Sequence, residues 1–155
     1  MAEGNSLDLE QDPRTIVGTR VFDAPRELVW QAWTDPKHLA QWWGPIGFST
    51  TTSAFDMRAG GVWRFVMHGP DGVDYQNEIV YVEIARPQRL VFDHVSGPKF
   101  QMTVSFDEQE DGKTKITMRM VFDSAALRDK VAKDFGAVEG AQQTLERLAE
   151  FLAKD

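Results

Sequence analysis

Residues 62–79 read VWRFVMHGPDGVDYQNEI, with apolar and polar side chains alternating on both sides of a glycine-rich centre. This alternation is typical of two antiparallel strands that bury one face. A three-residue loop at 70–72, with Gly72 in the left-handed region, would place Gly69 opposite Val73. The stretch therefore predicts a β-hairpin, and its register can be counted outward from that pair.

The predicted register sorts the side chains of this hairpin onto two faces. One face carries aromatic, methionine and amide side chains, paired as Met67 with Tyr75, Phe65 with Asn77, and Trp63 with Ile79. The other face pairs Arg64 with Glu78, an opposite-charge contact of the kind that contributes about 0.2 to 1 kcal/mol. We therefore expect the first face to be buried and the second to face water.

A second hairpin, predicted around Asp111, shows the same division. Its register pairs apolar side chains on one face, namely Phe106 with Ile116, Val104 with Met118, and Met102 with Met120. On the other face it pairs Asp107 with Lys115. The two hairpins together predict one sheet with an apolar inner face and a polar outer face.

The strand predicted at 89–95 adds a polar pair to the inner face. Pairing Tyr81 with Leu90 puts Asn77 directly opposite His94. A buried amide or imidazole without a hydrogen bond costs on the order of 1 to 3 kcal/mol, so the two should bond each other, a water or a ligand. The residues leave open whether this pair is purely structural or orients a carbonyl or hydroxyl group of a ligand.

The remaining sequence completes an α+β fold. Strands are predicted at 14–22, 48–57, 62–68, 74–84, 89–95, 100–107 and 115–122. Two short helices follow the first strand, the first ending near Trp33 and the second near Trp42. Residues 124–153 have apolar side chains at helical spacing and predict one long amphipathic helix. We expect a curved seven-stranded antiparallel sheet around this C-terminal helix.

The apolar face of a single helix is too narrow to cover the whole concave surface of such a sheet. Either large side chains fill the gap as a dry core or a cavity remains, and the sequence leaves both open. Methionine and aromatic side chains suit a pliable apolar binding site. Within the helix, Gly136 and Gly140 indicate a kink or a close approach to another element.

The candidate ligand-binding residues lie on the inner face, along the helix stripe and at the entrance beside Gly44 and Pro45. They are Trp43, Trp63, Phe65, Met67, Tyr75, Asn77, Phe92, His94, Met102, Met118, Met120, Phe135 and Val138. We expect their partner to be a small apolar molecule. No catalytic, cofactor-binding or metal-binding residue is assigned, because the sequence contains no nucleophile, zinc or dinucleotide motif.

Composition limits the function classes. The 155 residues include 17 Lys plus Arg against 24 Asp plus Glu, no Cys, and a net charge of -7. This acidity disfavours nucleic acid as a partner, and the lack of cysteine excludes disulfides and zinc–cysteine sites. No signal peptide or spanning segment is recognised, so we expect no membrane insertion and a cytoplasmic location. Residues 1–13 predict a loose acidic tail, and residues 14–155 a single domain.

Six short motifs occur in order along the chain. They are FDAPRELVW at 22–30, TDP at 34–36, WWGP at 42–45, DMRAGG at 56–61, GPDG at 69–72 and EI at 83–84. Together they resemble the START-like (SRPBCC) superfamily, in its branch of polyketide cyclase-like and activator-of-heat-shock-protein-ATPase-homologue-like domains. The resemblance implies a helix-grip fold with a hydrophobic cavity, which the superfamily uses for lipids, sterols, polyketides and plant hormones. It implies no shared catalytic or cofactor residue.

The leading hypothesis is therefore the binding of a small hydrophobic molecule by a carrier, a sequestering protein or a sensor. A packed interior without a pocket above about 300 Å³ would contradict it. The alternatives are an enzyme of the cyclase, dehydratase or hydrolase type and a co-chaperone-like interaction module. The enzyme would need several convergent polar groups in the pocket, and the module would need an exposed apolar patch outside it.

Overall fold

The computed structural model describes residues 13–96 and 99–153, apart from the side chain of Phe135. The strands are β1 (Thr15–Phe22), β2 (Ser49–Phe55), β3 (Val62–His68), β4 (Asp74–Ala85), β5 (Arg89–His94), β6 (Phe100–Glu108) and β7 (Thr114–Val121). The helices are α1 (Arg26–Thr34), α2 (Pro36–Trp42), α3 (Ala125–Phe135) and α4 (Ala137–Ala153). Of the tail predicted at 1–13, all but the last residue lies outside the described residues.

The seven strands form one antiparallel sheet in the order β1-β7-β6-β5-β4-β3-β2. Strands β2 to β7 follow one another as a meander, and β1 joins the sheet beside β7. Helices α3 and α4 pack against β1, while α1 contacts β6 and α2 contacts β2. The predicted fold class is therefore confirmed. Of the helices within the described residues, none combines the length and apolar character needed to span a membrane.

The registers of both counted hairpins are also confirmed. Strands β3 and β4 pair Met67 with Tyr75 and Arg64 with Glu78, and Gly69 donates its N–H to the carbonyl of Val73 at 2.8 Å. Strands β6 and β7 pair as expected, Met102 with Met120, Val104 with Met118, Phe106 with Ile116, and Asp107 with Lys115. Tight loops fixed both registers, and the inner and outer faces follow from them.

The register predicted between β4 and β5 is wrong. Tyr81 pairs with Phe92 rather than Leu90, because the β4–β5 turn is centred on Pro87, with Ala85 opposite Arg89, further along the chain than the predicted pairing requires. A β-bulge between Tyr81 and Glu83 then reduces the offset from three residues to two. His94 consequently lies opposite Ile79 rather than Asn77. Beyond the bulge the pairing is displaced by two residues, which is one full side-chain period, so Tyr81, Phe92 and His94 keep their predicted faces.

Helices α1 and α2 are held to the sheet by an aromatic cluster. Asp35 caps α2 by accepting a 2.9 Å hydrogen bond from the N–H of Lys37. The ring of Trp30 meets the Phe106 ring of β6 at 5.1 Å, and Trp33 meets Trp42 at 4.8 Å. All four rings are buried, so the tryptophans of these helices mainly anchor one end of the fold.

The single long helix predicted at 124–153 is broken at Gly136, where φ is 59°. A residue with a Cβ pays roughly 1 to 2 kcal/mol in this left-handed region, and glycine avoids that cost. Gly140 corresponds to the other expectation, a close approach, since a Cβ there would lie 3.5 Å from Pro45 Cγ. The buried stripe of α4 then runs through Leu145 and Leu148.

Candidate functional site

A cavity remains between the sheet and the C-terminal helices. Its inner part has a volume of about 210 Å³. Eight of the residues expected to bind a ligand line it, namely Trp43, Phe65, Met67, Asn77, His94, Met102, Met118 and Met120. The gap between helix and sheet is thus left partly unfilled.

The inner cavity adjoins an outer cleft of about 630 Å³. The two share Pro45, Met67, Asn77, His94, Phe100 and Val131 as lining residues. Tyr75, whose exposed fraction is 41%, lines the outer cleft only. The volume of the inner cavity is below the roughly 300 Å³ at which typical ligand pockets begin. The combined volume of the inner cavity and the outer cleft lies above that limit.

Trp63 lies in the core rather than in the cavity wall. Its side chain is 2% exposed and stacks on Phe65, with the ring centroids 4.0 Å apart. Its Nε1 donates a 3.0 Å hydrogen bond to Thr52 Oγ1 on β2. The register placed Trp63 on the correct face, but the Phe65 ring separates it from the open space.

Two further candidates, Phe92 and Val138, are not found in the wall of the cavity. Phe92 is buried with its ring 6.0 Å from that of Tyr81, and Val138 is half-buried against the core. The side chain of Phe135 lies outside the part of the chain that the structure describes. Facing inward is therefore not sufficient for lining the cavity.

Small residues of α4 form a wall that sequence reasoning missed. They are Ala137, Gly140, Ala141 and Thr144. Their spacing is i, i+3, i+4 and i+7, which places them on one face of the helix. The cavity exists because this face carries little side-chain volume. A stripe of small residues opposite a sheet rich in methionine was the signal that could have identified it.

Two aromatic wall residues were also missed, although the alternation pattern contained them. Phe100 lies two residues before Met102 on β6, and Phe122 lies two residues after Met120 at the end of β7. Both line the inner cavity, with their ring centroids 5.3 Å apart. Extending the period-two count to the strand ends would have included them.

His94 and Asn77 form the polar part of the wall. His94 Nε2 donates a 2.7 Å hydrogen bond to Asn77 Oδ1, and Asn77 Nδ2 donates to the backbone carbonyl of Tyr75 at 3.0 Å. The imidazole is 8% exposed and stacks on Phe100, with the ring centroids 4.8 Å apart. Asn77 has a second amide hydrogen, which can bond an acceptor atom of a ligand.

Arg147 of α4 holds the loop at the cavity entrance. Its Nη1 donates to the carbonyls of Trp43 at 3.3 Å and of Gly44 and Pro45 at 3.1 Å. The same nitrogen reaches the carbonyl of Phe48 at 3.0 Å. Partial burial lowers the pKa of the Arg147 guanidinium, although arginine remains charged at neutral pH. Loop and helix are thereby fastened together beside the cavity.

Among the described residues, the charged side chains near the site lie outside the inner cavity. Among the described lining residues, the inner cavity has none, and the outer cleft has Asp74 and Asp134. A third depression of about 440 Å³ shares His94, Phe100 and Phe122 with the inner cavity. Its charged lining residues are Arg14, Lys99, Asp93 and Asp123.

The cavity offers few groups for acid–base chemistry. Besides Asn77, His94 and the indole of Trp43, the described lining residues include one polar side chain, Thr144, whose hydroxyl donates to the Gly140 carbonyl at 2.8 Å. Burial raises the pKa of Tyr81 well above its usual range, and this residue does not line the cavity. Within 13–96 and 99–153, no cluster of three or more His, Asp or Glu side chains could hold a metal ion.

Comparison with known proteins relates the chain to one family. The sequence profile of the family described as "Activator of Hsp90 ATPase homolog 1-like protein" matches residues 23–153. No curated protein matches the sequence at a significant level.

Solved structures with the same fold cover nearly the whole chain. A solution structure of a protein from Arthrobacter aurescens is 25% identical, with a TM-score of 0.85 over 92% of this chain and 88% of that one. A crystal structure of a protein from Mycobacterium smegmatis is 28% identical, with a TM-score of 0.82 over 92% of each chain. A protein from Nitrosomonas europaea, 24% identical, has a TM-score of 0.83 over 92% of this chain and 96% of that one. At 24% identity, this last likeness shows the fold alone.

Proposed function

Since the chain belongs to the activator of Hsp90 ATPase homolog 1-like family, whose profile matches residues 23–153, we propose that it binds a small apolar molecule in the inner cavity. It would act as a carrier, a sequestering protein or a sensor. The observation that carries this proposal is the unfilled space opposite the small residues of α4. A fold under selection only for stability would gain by filling such a space with larger side chains.

The lining of the cavity suits an apolar ligand of modest size. Its walls are mostly methionine and aromatic side chains, and burying apolar surface against them contributes about 25 cal/mol per Å². An engineered apolar cavity of about 150 Å³ is known to bind benzene, so a volume of about 210 Å³ suits a substituted ring or a short alkyl chain. Larger ligands would extend into the outer cleft.

The Asn77–His94 pair supports a polar contact within this apolar site. The amide of Asn77 is oriented by its bonds to His94 and to the Tyr75 carbonyl. Its remaining hydrogen would meet a carbonyl or hydroxyl oxygen of the ligand. A single oriented amide is typical of pockets that fix the orientation of a mainly apolar molecule.

Binding of an uncharged fluorescent probe, N-phenyl-1-naphthylamine, tests the proposal. We expect saturable binding with increased fluorescence. Ala141→Phe should abolish it, because the added ring projects from α4 into the cavity. Ala153→Phe provides a matched control, since Ala153 is exposed on the same helix. Equal probe binding by both variants, with thermal unfolding showing that both are folded, would contradict the proposal.

Neither alternative function is favoured by a specific observation. An enzyme would need more convergent polar groups than Asn77, His94 and Thr144 supply. A protein-interaction module would need a contiguous apolar patch outside the cavity. Among the exposed apolar side chains of the described residues, Val21 and Val82 lie on β1 and β4, separated by three strands, and Tyr75 lines the outer cleft.

A further inference from the structure

The charges around the cavity indicate what kind of molecule it accepts. Among the described residues, none that lines the inner cavity is charged, and the outer cleft is lined by Asp74 and Asp134. Among the lining residues that the structure describes, neither space contains Lys or Arg. A molecule that extends from the inner cavity into the cleft would therefore place its outer end near carboxylates.

These carboxylates have only weak partners. Asp134 Oδ2 accepts a 2.8 Å bond from Lys130 Nζ, and Asp74 Oδ1 lies 2.8 Å from His68 Nδ1. Each of these contacts uses one oxygen of the carboxylate. The Lys130 side chain is 69% exposed, and ion pairs in such positions hold weakly, so a second cation can compete with it.

Aromatic rings accompany the carboxylates in the outer cleft. Phe48 and Tyr75 both line it, with their ring centroids 6.0 Å apart. Tyr75 is among the exposed large side chains, so its ring is accessible from the cleft. Ring faces attract cations, and aromatic residues beside carboxylates are suited to an ammonium group.

We propose that the ligand is an amphiphilic amine. Its apolar body fills the inner cavity, and its protonated amine lies in the outer cleft near Asp74 and Asp134. Anionic amphiphiles such as fatty acids bind poorly there, because their carboxylate would meet two like charges on a protein of net charge -7. This inference rests on the proposed function, since it requires that the cavity bind a ligand.

Three molecules with the same chain and different charges test it. Decylamine, decanol and decanoate, below their micelle concentrations at neutral pH and low salt, compete against N-phenyl-1-naphthylamine. We expect decylamine to bind at least about tenfold more tightly than decanoate, with decanol between them. Raising the salt concentration should narrow the difference, because exposed charges are screened.

Substitution of Asp74 and Asp134 tests whether these two carboxylates cause the preference for decylamine. The double variant Asp74→Asn with Asp134→Asn should lose most of the preference for decylamine and bind decanol as before. Asp107→Asn is the matched control, since Asp107 is exposed opposite Lys115 on the outer face of the sheet. It changes the net charge by one, half the change in the double variant, without altering the cleft, so the preference should persist.

The outcomes separate the two proposals. If the neutral probe binds but decanoate competes as well as decylamine, the charge preference is overturned and the apolar site stands. Loss of decanoate binding in Lys99→Gln would then assign the anion to the third depression, where Lys99 lies. If neither the probe nor decylamine binds, as checked by calorimetry with decylamine, the binding function itself is overturned.

Discussion

His94 donates its 2.7 Å hydrogen bond to Asn77, although its cross-strand partner is Ile79. Asn77 lies two residues before Ile79 on β4, so the bond runs diagonally between the two strands on the inner face. Diagonal neighbours lie within reach of longer side chains. The pair therefore forms one polar unit in a wall shared by the inner cavity and the outer cleft.

Breaking this pair should destabilise the protein. His94→Phe retains a ring against Phe100 and removes the donor to Asn77, and we expect a loss of about 1 to 3 kcal/mol from the unpaired amide. The double variant with Asn77→Leu should recover part of this loss, since it leaves no polar group unpaired. Urea denaturation of the two single variants, the double variant and the parent measures the interaction free energy between His94 and Asn77. Strictly additive losses of stability would show that the two side chains do not interact.

The same variants distinguish a structural pair from a ligand contact. If Asn77 orients a ligand oxygen, Asn77→Leu should weaken binding of 2-naphthol and leave naphthalene binding unchanged. A purely structural pair predicts an equal change for both molecules. Calorimetric or fluorescence titration of each molecule into parent and variant provides the comparison.

Phe65 and Trp63 should differ in their effects on binding. Truncation of either buried ring to alanine is expected to cost about 3 to 5 kcal/mol of stability. The milder variants Phe65→Leu and Trp63→Phe should remain folded. Phe65 lines the cavity and Trp63 lies behind it, so only Phe65→Leu should change probe affinity strongly. A larger change in Trp63→Phe would show that the wall is assigned incorrectly.

Two glycines of the C-terminal helices should respond to alanine with opposite signs. Gly136→Ala places a Cβ at a φ of 59°, and we expect a loss of about 1 to 2 kcal/mol. Gly140→Ala lies within α4, where its Cβ would meet Pro45 Cγ at an ordinary 3.5 Å, and we expect a gain of up to about 1 kcal/mol. Thermal unfolding of both variants is the measurement. A stabilised Gly136→Ala variant would contradict the helix break, and a destabilised Gly140→Ala variant would contradict the space assigned beside Pro45.

Substitution of Arg147 should lower stability and speed probe release more than substitution of an arginine on the outer face of the sheet. Arg147→Met removes the shared donor of four carbonyls in the entrance loop, and we expect a loss of about 1.5 to 3 kcal/mol with faster release of the probe. Arg64→Met, which removes an exposed pair with Glu78, should cost about 1 kcal/mol or less. Stopped-flow release rates that are the same in both variants would exclude a role for Arg147 at the entrance.

The sequence alone determined the architecture and most of the strand pairing. Alternation assigns faces residue by residue, and loops such as 70–72 fix a register over a few positions, so these features depend on neighbours in the chain. The β4–β5 register was predicted incorrectly because the turn is centred on Pro87, further along the chain than the predicted pairing requires, and because a bulge between Tyr81 and Glu83 changes the offset again. Beyond the bulge the faces were still correct, since the displacement there equals one full side-chain period.

Only the tertiary structure decided which part of the inner face stays open. Trp63 and Met118 are equally inward in the alternation pattern, yet Trp63 is covered by Phe65 and Met118 lines the cavity. The difference depends on the curvature of the sheet and on the volume of the facing helix, where Gly140 and Ala141 leave room. Both properties arise from contacts between segments distant in sequence, because a period-two pattern gives the direction of a side chain but not what stands opposite it.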